Sequence, residues 1–187
     1  MDLNTVICVL RPIVLGLSKV FKNIACNRIV GLAIPAKAGK SVLADNISVA
    51  DNWLILDVER LIELSMTKEE SDRLVQLKGT SSYQIHAYPL YKKYYLDILK
   101  AHKGRNIIVL ASDLKLLDYL GIRKTFTFVP NNKLADAIRG SLDEASAKLF
   151  TDTRLELLAN TNKYITYDGF DKLADLLATK FKLQTKL

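Results

Sequence analysis

Residues 28–41 read RIVGLAIPAKAGKS. Residues 28–34 are mostly apolar and end at Pro35, as expected of a short strand that is buried on both faces. Residues 40–50 then have the composition of a helix. The loop between the two elements brings a glycine, a cation and a hydroxyl together as Gly39, Lys40 and Ser41. This strand–loop–helix unit sets the pattern that the rest of the chain repeats.

Strands and helices alternate along the remaining sequence. Further apolar runs predict strands at residues 53–57, 106–111, 125–129 and 164–167. Helices are predicted at residues 58–66, 68–78, 90–102, 113–120, 132–159 (in two or three pieces) and 170–182. Thr67 and Glu70 have capping-box spacing, and Pro89 suits the first turn of a helix. Buried strands separated by helices predict an α/β three-layer sandwich with a five-stranded parallel sheet.

The composition limits the classes of protein that fit. With 187 residues, 49% of them hydrophobic, and only 8 Gly and 4 Pro, the chain suits one globular domain and not a disordered or collagen-like protein. Cys8, Cys26, His86 and His102 are too few for a disulfide scaffold or a His/Cys metal site. The net charge of +7 favours an anionic partner, which can be nucleotide phosphates, nucleic acid or an anionic surface.

Residues 1–27 are predicted to form an N-terminal extension of a domain that covers residues 28–187. One face of a helix over residues 13–26 would carry Ile13, Leu17, Val20 and Ile24. Such an amphipathic helix packs on the domain, or it binds a partner or a membrane surface.

No targeting or membrane-spanning segment is predicted. Asp2 stands where a signal peptide would have basic residues, and Arg11 and Pro12 interrupt the apolar run that follows. The run is too short to cross a bilayer. We therefore expect an intracellular, cytoplasmic protein without a transmembrane segment.

The loop of residues 34–41 matches part of a phosphate-binding motif. The pattern G-x-x-x-x-G-K-[ST] fits at Gly39, Lys40 and Ser41, while Ile34 replaces the first glycine. In such a loop the glycine lets the backbone approach a phosphate, the lysine reaches the β- and γ-phosphates, and the hydroxyl binds Mg²⁺. The alternative is an ordinary turn and helix start with an exposed lysine.

Two acids follow predicted strands at the same edge of the sheet. Asp57 ends the second strand, and Asp113 follows the third strand after Ser112. Ligands of open parallel sheets bind at the carboxyl ends of the strands. We predict that Asp113 joins Ser41 in binding Mg²⁺ and that Asp57 positions or deprotonates an acceptor. Either acid could instead be a loop residue or a helix cap.

From residue 28 to residue 182, the order of elements and the partial motif resemble the P-loop kinase branch that includes nucleoside monophosphate kinases and shikimate-kinase-like enzymes. The resemblance implies ATP and Mg²⁺ as cofactors and a phosphate-bearing acceptor as a further partner. It implies a lid-like helical region at about residues 131–160, with Arg139 and Arg154 as lid arginines. The nucleotide-binding residues that it implies are Ala36, Lys37, Ala38, Gly39, Lys40, Ser41 and Val42.

Three functions remain open on the sequence. The first is an ATP-dependent phosphotransferase of nucleoside- or small-molecule-kinase type, or an NTPase, with Lys40, Asp57, Arg139 and Arg154 as catalytic residues. The second is a catalytically degenerate protein of the same fold that serves in assembly or RNA binding, which Ile34, the imprecise positions of the acids, the positive charge and the N-terminal helix favour. Such a protein could serve in a multi-subunit or viral particle. An NTP-driven nucleic-acid motor comes last, because 187 residues leave little room for one.

A helix rich in tyrosine and lysine bears on the RNA-binding alternative. Tyr88, Tyr91 and Tyr95 fall on one helical face, beside Lys92 and Lys93. These rings pack in the core, stack on nucleic-acid bases, or line a pocket for an acceptor base.

Overall fold

The computed structural model describes residues 28–46, 53–77, 80 and 82–181. The predicted N-terminal helix over residues 13–26 lies outside these residues, so the division at residue 27 stays a prediction. Within the described residues, no helix is both long and apolar enough to cross a membrane.

The five predicted strands are present, all parallel, in one sheet with the order β2-β3-β1-β4-β5. The strands are β1 (Ile29–Ala33), β2 (Trp53–Asp57), β3 (Asn106–Ala111), β4 (Thr125–Pro130) and β5 (Tyr164–Tyr167). The helices of the described residues are α1 (Lys40–Asn46), α2 (Val58–Ser65), α3 (Lys68–Leu77), α4 (Tyr83–Ala101), α5 (Leu114–Tyr119), α6 (Asn132–Gly140), α7 (Glu144–Ala159) and α8 (Phe170–Phe181).

Helices cover both faces of the sheet, so the predicted three-layer α/β architecture is confirmed. Successive residues of a strand point to opposite faces, and β3 shows the division clearly. Ile108 and Leu110 pack in a core with Leu173 and Leu177 of α8. Ile107 and Val109 pack in a second core, whose helical members include Tyr91, Tyr95, Leu116 and Leu157.

The register of the strands brings their carboxyl ends together at one edge. Ala33 of β1 lies opposite Ala111 of β3, and Asp57 of β2 lies opposite Leu110 of β3. Because β1 lies between β3 and β4, the loop that follows β1 leaves the sheet near the middle of this edge.

Helix α4 differs from its prediction at the N-terminus. The sequence places Pro89 in the first turn, but the helix begins at Tyr83 and contains Pro89 in its interior. An interior proline removes one backbone hydrogen bond and normally destabilises a helix. Here the buried side chains of Ala87, Tyr91 and Tyr95 fix the helix against the core. Tertiary packing therefore outweighs the proline.

Burial of this helix face decides between the alternatives for the tyrosines. Tyr91 and Tyr95 are 5% and 2% exposed, so their rings pack in the core and cannot stack on nucleic-acid bases. Lys93 forms an ion pair with Glu70 at 3.1 Å, and the ammonium of Lys92 lies over the ring of Tyr119. The packing interpretation is therefore the correct one for Tyr91 and Tyr95.

The capping box at the start of α3 is present and also holds α4. The backbone N–H of Glu70 donates to Thr67 Oγ1 at 3.2 Å, and the N–H of Thr67 donates to Glu70 Oε2 at 3.0 Å. The hydroxyl of Tyr94 donates to the same carboxylate at 2.6 Å. Hydrogen bonds from Tyr94, Thr67 and Lys93, with the first the largest cause, lower the pKa of Glu70 to about 2.

Candidate functional site

The loop between β1 and α1 contains two residues with left-handed backbone conformation. Lys37 has φ of 61° and Gly39 has φ of 91°. A side chain at Gly39 would also bring its Cβ within 2.5 Å of the ring of Phe170. The left-handed backbone therefore favours glycine at this position of the motif, and a side chain there would require the ring of Phe170 to shift. Ile34, at the position of the first glycine, is fully buried in the core.

Two side chains, one from α7 and one from β5, hold the backbone of this loop. Thr153 Oγ1 of α7 accepts a hydrogen bond from the N–H of Ala36 at 3.1 Å. The hydroxyl of Tyr167 at the end of β5 donates to the carbonyl of Ala38 at 3.2 Å. Burial raises the pKa of Tyr167, so this donor keeps its proton. These contacts fix the shape of the loop.

Lys40 is buried and paired, so it is not the exposed lysine of the alternative interpretation. Its side chain is 8% exposed, and its Nζ lies 3.2 Å from Glu59 Oε2. The other oxygen of Glu59 accepts hydrogen bonds from the N–H of Ser112, at 2.9 Å, and from the Ser112 hydroxyl. The carboxyl end of β3 thus holds Glu59 on the lysine. The carboxylate of Glu59 therefore contacts Lys40 where the motif would put a phosphate.

Ser41 contacts the acid at the end of β2. Its hydroxyl donates to Asp57 Oδ2 at 3.0 Å, and the N–H of Arg60 donates to the other oxygen at 3.4 Å. Asp57 is 5% exposed. The structure therefore brings together a hydroxyl and a carboxylate, both oxygen donors of the kind that Mg²⁺ prefers.

Asp113 makes different contacts. Its carboxylate accepts from the N–H of Lys115 at 2.8 Å as the N-cap of α5. It also accepts from the hydroxyl of Tyr88. Burial first, and then this hydrogen bond, raise the pKa of Tyr88. Pairing of Asp113 with Ser41 around a metal stays a prediction, and the hydrogen bond of the Ser41 hydroxyl goes to Asp57 instead.

Arg139 and Arg154 line one cavity of about 310 Å³ between α6 and α7. Arg154 donates to Asn132 Oδ1 at 2.8 Å and to the carbonyl of Pro130 at 3.3 Å. Arg139 pairs with Asp136 at 3.0 Å on the exposed surface of α6. Arg154 follows Thr153, the residue that binds the loop. Helix α7 therefore connects this cavity to the loop after β1.

Several residues of this site had weak or absent signals in the sequence. Glu59 stands two positions after Asp57. This spacing is a local signal that a second acid lies just beyond the end of β2. Ser112, Thr153, Tyr167 and Phe170 come from distant parts of the chain and have no motif of their own. Within the described part of the chain, no group of three or more His, Cys, Asp and Glu residues could hold a metal ion.

A solved structure of a sugar kinase agrees with this fold. A sugar kinase from Janibacter sp. HTCC2649, solved without ligand, has a TM-score of 0.51 and 12% sequence identity, and the match covers 84% of this chain and 96% of that one. A shikimate kinase from Acinetobacter baumannii in complex with shikimate has a TM-score of 0.41 and 16% identity, over 86% of this chain and 94% of that one. No family model and no curated protein sequence matches the chain.

The parallel sheet, its strand order and the likeness to the sugar kinase define the class of fold. The chain has a P-loop-kinase-like α/β fold, as the order of its elements predicts. At 12% identity the likeness shows the fold alone, so function must be argued from the site.

Proposed function

We propose that the chain binds ATP at the loop after β1 and is a phosphotransferase of nucleoside- or small-molecule-kinase type, or an NTPase. The observation that carries this proposal is the pairing of two consecutive residues with two acids. Lys40 contacts Glu59 at 3.2 Å, and Ser41 contacts Asp57 at 3.0 Å. A cation therefore stands beside a hydroxyl and a carboxylate at the carboxyl edge of the sheet, where ligands of such sheets bind.

The few oxygen donors of this site suit a Mg²⁺ ion that is bound together with a nucleotide. They do not suit an ion that is held by protein ligands alone. Mg²⁺ in nucleotide sites keeps waters and takes one or two carboxylates together with phosphate oxygens. Ser41 and Asp57 would hold the ion, and Asp113 stays as the alternative that the sequence predicts. When bound, Mg²⁺ neutralises part of the charge on the phosphates.

The remaining residues of the proposed site bind and orient. Lys40 would exchange its contact with Glu59 for a contact with phosphate oxygens, and the freed carboxylate of Glu59 would face the acceptor. Asp57 is the partner of Ser41, and it also stays the residue that is predicted to position or deprotonate the acceptor. Arg139 and Arg154 would hold phosphate groups from the side of α6 and α7, since a guanidinium binds phosphate oxygens in pairs.

Titration calorimetry of ATP, with and without Mg²⁺, tests the proposal. We expect one site per chain, tighter binding with Mg²⁺, and loss of binding in Lys40→Ala. Lys148→Ala, which removes an exposed lysine of α7, is the matched control and should bind as the wild type does. Turnover on a panel of hydroxyl and phosphate acceptors then separates a phosphotransferase from an NTPase.

A second candidate function is a catalytically degenerate protein of this fold that acts in assembly or RNA binding. Two observations favour it: Ile34 is fully buried at the position of the first motif glycine, and Thr153 takes the N–H of Ala36. Nucleotide binding with neither hydrolysis of the nucleotide nor turnover on any acceptor would support this candidate. Failure to bind nucleotide at all would leave assembly or RNA binding as the better account.

A further inference from the structure

A tight turn in the loop after β1 carries a lysine at a position that normally favours glycine. The N–H of Ala38 donates to the carbonyl of Pro35 at 3.2 Å, and this bond closes a turn over residues 35–38. Its third residue, Lys37, has φ of 61° and is the only residue other than glycine with a positive φ among the described residues. Positive φ at the third residue alone is the pattern of a type II turn, where glycine or asparagine is the usual residue. Lysine therefore stands where glycine would be less strained.

Lys37 is also the one exposed residue between β1 and α1. Ile34, Ala36 and Ala38 are at most 8% exposed, and Pro35 is buried as well. Packing in the core therefore does not explain the lysine, because its side chain leaves the loop toward solvent. Strained backbone of this kind persists mainly at functional sites, where the side chain that it carries is needed.

The side chain of Lys37 interacts with the turn that joins α6 to α7. In that turn, the pKa of Asp143 is lowered, chiefly by hydrogen bonds from Ser146 and in smaller part by the positive charge of Lys37. The ammonium therefore lies on the side of the loop that faces α6 and α7. Arg139 and Arg154, which we propose to hold phosphate groups, belong to the same two helices.

Lys37 differs from Lys40 in having no ion-pair partner among the described residues. Lys40 is paired with Glu59 at 3.2 Å, whereas no carboxylate that the structure describes forms an ion pair with Lys37. Asp143, the acid that faces Lys37, accepts the N–H of Ser146 at 2.9 Å as the N-cap of α7. A phosphate at the loop can therefore bind Lys37 without displacing an ion-paired carboxylate, as it must at Lys40.

We propose that the ammonium of Lys37 binds the phosphates of the nucleotide from the side of α6 and α7. A phosphate-binding loop holds phosphate through its backbone N–H groups and the lysine of the motif. Here a second lysine side chain adds a charge-assisted contact from within the loop. This inference rests on the proposed nucleotide binding. It gives the loop a free cation in addition to Lys40, whose charge Glu59 already offsets.

Titration calorimetry with Mg²⁺ and either ATP or inorganic tripolyphosphate tests this contact. Lys37→Gly removes the charge and suits the turn, whereas Lys37→Arg keeps the charge. Lys148→Gln, which removes an exposed charge of α7, is the matched control. Urea denaturation of the same proteins measures their stability.

Lys37→Gly should bind both ligands roughly tenfold more weakly, as expected for the loss of a hydrogen bond between charged groups. It should resist urea at least as well as the wild type, because glycine adopts the left-handed backbone without strain. Lys37→Arg and Lys148→Gln should bind both ligands nearly as the wild type does. Weaker binding in a protein of undiminished stability assigns the lysine to the ligand and not to the shape of the loop.

Four results would overturn the role of Lys37 and leave the proposed function intact. They are equal affinities of the wild type and Lys37→Gly, a loss for ATP without a loss for tripolyphosphate, an equal loss in Lys148→Gln, and weaker binding of Lys37→Gly together with a lower urea midpoint. If the wild type binds neither ligand, or if Lys40→Ala binds as the wild type does, the proposed nucleotide site itself fails and this inference fails with it.

Discussion

The hydroxyl of Ser41 donates to the carboxylate of Asp57 at 3.0 Å, and this bond joins the first turn of α1 to the end of β2 across the width of β3. The register allows it because Asp57 lies opposite Leu110, next to the end of β3, and Ala33 lies opposite Ala111. Ser41 and Asp57, the two residues that we propose would hold Mg²⁺, are therefore already in contact.

The contact predicts that Asp57→Asn weakens Mg²⁺-dependent nucleotide binding more than Asp113→Asn does. Partners that orient a metal ligand typically change metal affinity 10- to 100-fold, so we expect a loss of roughly tenfold or more for Asp57→Asn. Calorimetric titration of ATP with and without Mg²⁺ measures it for both variants. A larger loss in Asp113→Asn would restore the pairing of Ser41 with Asp113 that the sequence predicts.

Substitution of Glu59 should have the opposite effect and tighten the binding of nucleotide. Its carboxylate lies on the ammonium of Lys40, so a phosphate must displace it. Glu59→Gln removes this competing charge and should tighten the binding of triphosphate by about fivefold, because an ion pair with a partly exposed partner contributes on the order of 1 kcal/mol. Asp97→Asn, which breaks the exposed pair with Lys100, is the control and should change nothing.

The outcome also reports on the role of Glu59. Weaker triphosphate binding in a folded Glu59→Gln protein would mean that the carboxylate helps to hold the ligand instead of competing with it. Circular dichroism of each variant checks that the protein is folded.

Gly39 and Gly140 form a matched pair for substitution by alanine. At Gly39 the left-handed backbone costs an alanine roughly 1–2 kcal/mol, and the new Cβ would lie 2.5 Å from the ring of Phe170. Gly140 ends α6 with no atom within 4 Å of a new Cβ, so alanine there should be neutral or should stabilise by up to about 1 kcal/mol. Urea denaturation of both variants measures the free energy of unfolding. Equal stability of the two variants would contradict the loop geometry.

The lowered pKa of Glu70 predicts that the stability of the folded state depends on pH. Its pKa in the folded protein is lowered to about 2, whereas an unfolded glutamate has a pKa near about 4.3. A lowered pKa means that the carboxylate stabilises the folded state above the unfolded pKa, and that this stabilisation is lost as the pH falls toward 2. Glu70→Gln should therefore lose stability less steeply than the wild type between about pH 5 and about pH 3. Denaturation curves at both pH values decide it, and parallel losses in the two proteins would contradict the assigned pKa.

The sequence predicts most of the fold because the strands have short-range signals. β2, β3 and β5 begin and end where the apolar runs do, and Thr67 with Glu70 marks the start of α3. Helix α4 differs because Pro89 reads locally as a start signal, while the burial of Tyr91 and Tyr95 is a tertiary property.

The site was harder to predict than the fold because its contacts join distant residues. Gly39, Lys40 and Ser41 form a local motif, but Ala36 meets Thr153 across 117 positions and Ala38 meets Tyr167 across 129. Asp57 and Asp113 look equivalent in sequence, since each follows an apolar run. Only the strand register and the cap of α5 direct the first to Ser41 and the second to Tyr88 and Lys115.

Titration of ATP into the wild type and into Lys40→Ala, both with Mg²⁺, tests the central claim most directly. We predict binding at one site per chain in the wild type and no measurable binding in the variant, which should still unfold cooperatively in urea. Equal ATP affinities in the two folded proteins would contradict the assignment of the loop after β1 as a nucleotide site.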